Sequence, residues 1–163
     1  MIFDFKISKN IKFTEKPLTG AFSREMVGSI HRIKGIMDQS MYKDIIGTKM
    51  LPFAKDKMPR GWVFQQDNDP KHTAKTVQDF FKANKIRVLK WPSQSPDLNP
   101  IEHIWEYIDR HLFERQLAKN KNELYEKIQD IWSSIPLDVI NKLVDSMPDR
   151  CKAVLASKGY ATK

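Results

Sequence analysis

Residues 61–105 read GWVFQQDNDPKHTAKTVQDFFKANKIRVLKWPSQSPDLNPIEHIW, and this stretch decides the fold. Residues 62–66 are a short run of strand-forming side chains that ends at Asp67. Asp69-Pro70 then has the form of a helix start, an N-cap followed by proline in the first turn. The spacing predicts a helix from there to about Ala83, burying Val77, Phe80 and Phe81. Residues 86–89 (IRVL) form the next expected strand, apolar enough to be buried on both faces. Beyond the proline-broken loop 91–98, Asn99-Pro100 opens another helix whose apolar stripe is Ile101, Ile104, Trp105, Ile108 and Leu112. Glu102 falls in the first turn of that helix, with 34 residues between it and Asp67.

Outward from this centre the pattern keeps its two periods. Residues 2–7 alternate as a strand does, 11–13 suit a hairpin return, and 17–20 read as a break. Two short strands around Gly28 are expected within 21–34. From Asp38 the period becomes helical, through Met41, Tyr42, Ile45, Ile46 and Leu51, with Gly47 weakening the middle. Helices are expected at 121–133 and 136–157, the second interrupted at Pro148 and stopped at Gly159. Strands alternating with helices, followed by a helical C-terminal third, predict an α/β sheet flanked by helices.

Composition bounds the partners. The 163 residues suit one domain with an atypical segment at 1–20 and C-terminal helices at 121–163. Lys and Arg outnumber Asp and Glu by 28 to 20, an excess that favours a polyanionic partner and also fits a solvated basic surface. One cysteine, Cys151, excludes an intramolecular disulfide framework. Neither a signal-peptide core nor a bilayer-length apolar run is present, so a soluble intracellular protein without membrane partners is expected.

The carboxylates suggest chemistry. Breaking or joining a phosphodiester needs an activated attacking oxygen and a stabilised leaving oxygen, and two divalent ions about 4 Å apart supply both. Mg²⁺ prefers hard oxygen ligands, hence cages of Asp and Glu on strand ends and helix starts. Asp67 and Glu102 suit that role as metal ligands and catalytic groups. Each also has a plainer reading: Asp67 as a turn residue, and Glu102 as the third residue of a capping box begun by Asn99. Lys71, His72 and Lys75 line the helix start after Asp67 and form a candidate phosphate-binding, hence DNA-binding, set. For His72 the alternative is a surface ring bonded to a loop carbonyl. Lys82, Lys85, Arg87 and Lys90 make a second basic cluster, and the four tryptophans read as core and loop anchors.

FQQDNDPKHTAK and WPSQSPDLNPIEHIW resemble the catalytic core of the Tc/mariner superfamily of DNA transposases, and the similarity runs from about Gly28 to SMPDRCKAVLASKG. The resemblance implies a ribonuclease-H-like fold, with Asp67 as second and Glu102 as third acidic ligand of a Mg²⁺ or Mn²⁺ site. It also implies DNA as substrate, a homodimer or a full-length transposase as protein partner, no small-molecule substrate, and work in the nucleus.

Two departures from the family pattern shape the expectation. Nothing before residue 37 resembles the two helix-turn-helix modules that read transposon ends. The family's first Asp, on the central strand in a phenylalanine-serine-aspartate-glutamate run, has no counterpart in kind. Asp4 in IFDF is the sole early candidate, closer to Asp67 than the family spacing, and it reads as an ordinary strand-edge residue unless 2–7 replaces the first strand. Two readings therefore stand side by side. One is a transposase-derived, metal-dependent DDE endonuclease and strand transferase, defective as a transposase in this form. The other is a non-catalytic remnant that binds DNA or another transposase subunit.

Overall fold

A computed structural model describes residues 2–4, 18–92, 95, 98–114 and 118–157. Among the described residues, four strands, β1 (Ile2–Asp4), β2 (Leu18–Ser23), β3 (Val27–Arg32) and β4 (Phe64–Gln65), make one sheet in the order β3-β2-β1-β4. β2 runs antiparallel to both β1 and β3, whereas β1 and β4 are parallel, with Phe3 opposite Gln65. The backbone of β1 thus lies inside the sheet, which corrects the expectation of Asp4 on a strand edge: 2–4 occupies the central position. Residues 5–17, including the expected hairpin at 11–13 and the rest of 2–7, lie outside the described residues.

β2 is buried along its whole length because helices cover both faces of the sheet. Leu18 and Phe22 join one apolar cluster and Ala21 the other, the two-residue period of a strand expressed as two cores. Leu18–Gly20 is therefore strand, not the break expected at 17–20. The turn falls between the strands at Arg24–Met26, where the Ser23 hydroxyl accepts the backbone N–H of Glu25 and of Met26 (3.2 and 3.3 Å). Gly28 sits inside β3 instead of at the turn, and a Cβ there would come within 2.9 Å of the Ala21 carbonyl oxygen.

On one face lie α1 (Gln39–Ile45), a π-helical turn (Ile46–Met50), α2 (Leu51–Lys57), α3 (Pro70–Thr73) and α4 (Lys75–Ala83). Asp38 caps α1 by accepting the Met41 N–H at 2.8 Å. The π turn contains Gly47, the residue expected to weaken this helix, and its open Cα lets Phe80 of α4 approach to 3.3 Å of where a Cβ would stand. The single helix expected over 70–83 is two: Ala74 adopts an extended conformation (φ −55°, ψ 145°) between α3 and α4. Val77 and Phe81 are buried as expected, and Phe80 is half-buried.

On the other face α5 (Ile101–Phe113), α6 (Lys121–Ser133) and α7 (Leu137–Asp145) surround Trp105 and Trp132, stacked at 5.6 Å between ring centroids. Gly20 makes room for that stack, since a Cβ on it would lie 2.8 Å from the Trp132 ring. Trp132 Nε1 donates to the Gly28 carbonyl at 2.6 Å, joining α6 to β3. α8 (Met147–Ala156) follows after Ser146, with Pro148 in its first turn, so the interruption expected near Pro148 is present. Gly159 lies outside the described residues. None of the described helices is long and apolar enough to cross a membrane.

Candidate active site

β4 is only two residues long, and the chain leaves it through buried Gln66 into Asp67. Asp69 caps α3, its side chain accepting the Lys71 N–H at 3.0 Å, and Pro70 follows with its φ already helical. This cap bends the chain so that His72 turns back on Asp67, five residues earlier. His72 Nδ1 lies 2.6 Å from Asp67 Oδ1, and the Asp69 N–H donates to the same oxygen at 3.1 Å. Neither hydrogen bond uses Oδ2.

Burial alone would push the Asp67 carboxyl up. The hydrogen bond and charge of His72, the Asp69 N–H and the nearby Lys71 outweigh it, so the group is held below the usual carboxylate range. Asp69 is shifted in the same direction: its partial burial is overcome by Lys71, which bonds it through both backbone N–H and ammonium. Two ionised carboxylates at the carboxyl end of β4 are hard oxygen donors of the kind Mg²⁺ or Mn²⁺ takes.

Glu102 stands in the first turn of α5, half-buried. The capping box expected there is not formed as drawn. The helix begins after Pro100 with no side-chain cap, and Asn99 Oδ1 is buried without a partner among the described residues. What relates Glu102 to Asp67 is topology. Segment 86–89 forms a single parallel bridge between Val88 and Phe64, with Leu89 N–H donating to the Phe64 carbonyl and Phe64 N–H to that of Arg87, both at 2.7 Å. It is thus a one-bridge strand, with only Ile86 fully buried, instead of the doubly buried strand expected. Running parallel to β4, it leaves the sheet at the end that carries Asp67. Asn68 Nδ2 closes the gap by donating to the Trp91 carbonyl at 2.7 Å, tying the Asp67 loop to the loop leading to α5.

Asp4 belongs to the same end. β1 is parallel to β4 in the register Ile2 to Phe64 and Phe3 to Gln65, so the backbone of Asp4 comes next to that of Gln66, one residue before Asp67. No group of three or more His, Cys, Asp or Glu side chains able to hold an ion occurs among the described residues.

The expected phosphate-binding set divides. Lys75 is exposed at the start of α4, and Lys71 is spent on Asp69. His72 is 3% exposed, which corrects the reading of it as a surface ring and removes it from any outward-facing set. It is packed instead against Tyr42, with ring centroids 4.0 Å apart and planes 25° from parallel. Tyr42 Oη donates to Gln66 Oε1 at 2.7 Å, and Gln66 Nε2 donates to the His72 carbonyl at 3.2 Å. Sequence reasoning missed both residues. Gln66 had a signal, as a polar side chain continuing a strand into a suspected ligand, while Tyr42 looked like any aromatic on an apolar helix face. A second unanticipated contact brings Arg150 of α8 onto His103 Nε2, beside Glu102, with His103 Nδ1 3.3 Å from Glu106.

Comparison with known proteins bears directly on this geometry. A family model described as DDE superfamily endonuclease matches residues 18–125, a span that includes Asp67 and Glu102 and begins after Asp4. The chain is 46% identical over 144 residues to the transposable element Tcb2 transposase of Caenorhabditis briggsae, covering 88% of this chain and 52% of that protein. It is 48% identical over 144 residues to the Tc1 transposase of Caenorhabditis elegans, with the same coverages. The chain thus spans about half the length of the curated relatives it matches. The structure of the Mos1 transposase catalytic domain with Raltegravir and Mn superposes with a TM-score of 0.85 at 19% identity, covering 99% of this chain and 84% of that one. At that identity the likeness speaks for the fold, which is ribonuclease-H-like. Family match and fold agree with the motifs around Asp67 and Glu102: the chain belongs to the DDE superfamily endonucleases, in their Tc/mariner branch.

Proposed function

We propose that these 163 residues form a divalent-metal-dependent domain that cuts DNA phosphodiesters. The observation that carries this is the state of Asp67. It is an ionised carboxylate at the carboxyl end of a parallel strand, with hydrogen bonds on Oδ1 and none from a described residue on Oδ2. Such an oxygen suits a hard cation. Asp67 and Glu102 would hold the metal, and Asp4, carried on β1 beside Gln66, is the third donor in this reading. The bound ions would lower the cost of ionising the attacking oxygen and of charge on the leaving one. The chain's own part is to fix these carboxylates and to meet the DNA backbone. Lys75 is exposed for that contact, and the excess of basic over acidic side chains makes binding salt-sensitive. The Mos1 catalytic domain, which shares this fold, has been solved with Mn and with Mg, and this supports the choice of Mn²⁺ or Mg²⁺.

Plasmid nicking in Mn²⁺ by the purified chain tests the proposal, alongside Asp67→Asn, Glu102→Gln and Asp4→Asn. Nicking lost in all three variants supports the three-carboxylate site. Nicking lost in the first two and kept in Asp4→Asn moves the third donor elsewhere. No nicking from a folded chain leaves the second reading, a DNA- or transposase-binding remnant.

A further inference from the structure

We propose that His72 is a positioning residue for Asp67, its Nδ1–H holding Oδ1 so that Oδ2 is the oxygen turned to a divalent ion. The inference rests on the reading of Asp67 as a metal ligand and adds to it a residue that sets the ligand's orientation. A carboxylate only accepts hydrogen bonds, so the nitrogen 2.6 Å from Oδ1 must be the protonated one. The ring has little freedom to do anything else. It is 3% exposed, stacked on Tyr42, and its other nitrogen, Nε2, is buried with no partner among the described residues.

The bonds close a circuit. Asp67 is held by His72, His72 is stacked on Tyr42, Tyr42 donates to Gln66, and Gln66 donates to the His72 carbonyl and is joined to Asp67 by the peptide bond. Such a loop removes the rotations about Cα–Cβ and Cβ–Cγ by which an aspartate at a loop start would otherwise sample several directions. A ligand oriented before the ion arrives loses less freedom on binding it, and removing a hydrogen-bonded partner behind a ligand commonly weakens metal affinity about 10- to 100-fold. The competing account is that the imidazole merely fills space between Tyr42 and α3.

Two substitutions separate the accounts. His72→Phe keeps the ring and its stack on Tyr42 but has no donor. His72→Asn loses the ring but carries an amide N–H near the position of Nδ1. Mn²⁺ affinity, read from the free-ion EPR signal, is measured for the whole chain, both variants and Asp67→Asn, with thermal melts to confirm folding. Positioning predicts a loss of about 10- to 100-fold in His72→Phe and recovery of most of it in His72→Asn. Space-filling predicts the reverse order. Unchanged affinity in His72→Phe, or the reverse order, overturns the proposal. Absence in the unaltered chain of Mn²⁺ binding that Asp67→Asn removes overturns the metal reading itself, and this proposal with it. Should neither His72 variant fold, NMR of the unaltered chain decides. A slowly exchanging His72 Hδ1 proton that vanishes in Asp67→Asn supports the bond, and its absence overturns it.

Discussion

The two faces of the sheet are both well packed and are held by different means. Beneath α5–α7 the core is apolar: Trp105 and Trp132 pack with Phe22 among isoleucines and leucines, Trp132 lies over Gly20, and its Nε1 donates to the Gly28 carbonyl. Beneath α1–α4 an apolar cluster of similar extent has a polar seam, in which Tyr42, Gln66, His72 and Asp67 bond one another. Shape and area hold the first face, and a miss of one methyl group is felt there. In the second, the hydrogen bonds fix directions as well as energies, and direction is what a site needs. The seamed face carries Asp67 and its hydrogen-bonded partners, while the apolar face is the platform that holds Glu102 at the start of α5.

The largest test of this contrast is Trp132→Ala. Removing the indole leaves a cavity against Gly20 and Trp105 and orphans the Gly28 carbonyl, so urea denaturation should show a loss of about 3–5 kcal/mol. Gly20→Ala attacks the same contact from the other side. Its Cβ would stand 2.8 Å from a ring that cannot bend, and about 1–3 kcal/mol should be lost by overpacking. If both changes are mild, the apolar face is looser than its geometry says.

On the seamed face, deleting one oxygen should matter without any loss of volume. Tyr42→Phe leaves Gln66 Oε1 buried without its donor and should cost about 1–3 kcal/mol. A value near zero would mean that the Gln66 amide finds another partner and the circuit is not closed.

The acid limb of the stability curve comes next. Asp67 and Asp69 are held below their ordinary values when folded, so they bind protons more weakly than in the unfolded chain. Their contribution is therefore complete above the unfolded value of about 3.9 and disappears as pH falls toward the folded values. Stability measured from pH 6 downward should fall less steeply in Asp67→Asn than in the unaltered chain. An unchanged slope would mean that the His72 contact does not favour the ionised form. The smallest effect belongs to Arg24→Gln. Its pair with Asp145 ties the β2–β3 turn to α7, but both side chains are exposed and screened by salt, so the denaturation midpoint should hardly move.

Much of the fold, and the setting of two residues of the candidate site, were legible before any tertiary information. Helices with one apolar stripe were read closely: 121–133 matched α6 to the residue, because a helix end is set by local caps such as Asn120. Asp67 and Glu102 were legible because their setting, strand end and helix start, is a property of neighbouring residues. Reading failed where the outcome did not follow the local pattern. Ala74 splits the 70–83 helix although its side chain is the best helix former, and 86–89 keeps one bridge because its pairing depends on a β4 only two residues long. Gly28 looked like a turn and is a strand residue, its bareness answering the approach of the Ala21 carbonyl.

The sequence by itself determined the period of most helices, the basic charge and the setting of Asp67 at a strand end and Glu102 at a helix start, since these need only neighbours along the chain. Tertiary structure alone decided that 2–4 lies at the centre of the sheet, that the His72 ring is buried, and that Tyr42 stacks against it. Strand order and the burial of a polar ring depend on surfaces that meet only after the chain has closed on itself, 24 residues apart for Tyr42 and Gln66, and no local pattern records them.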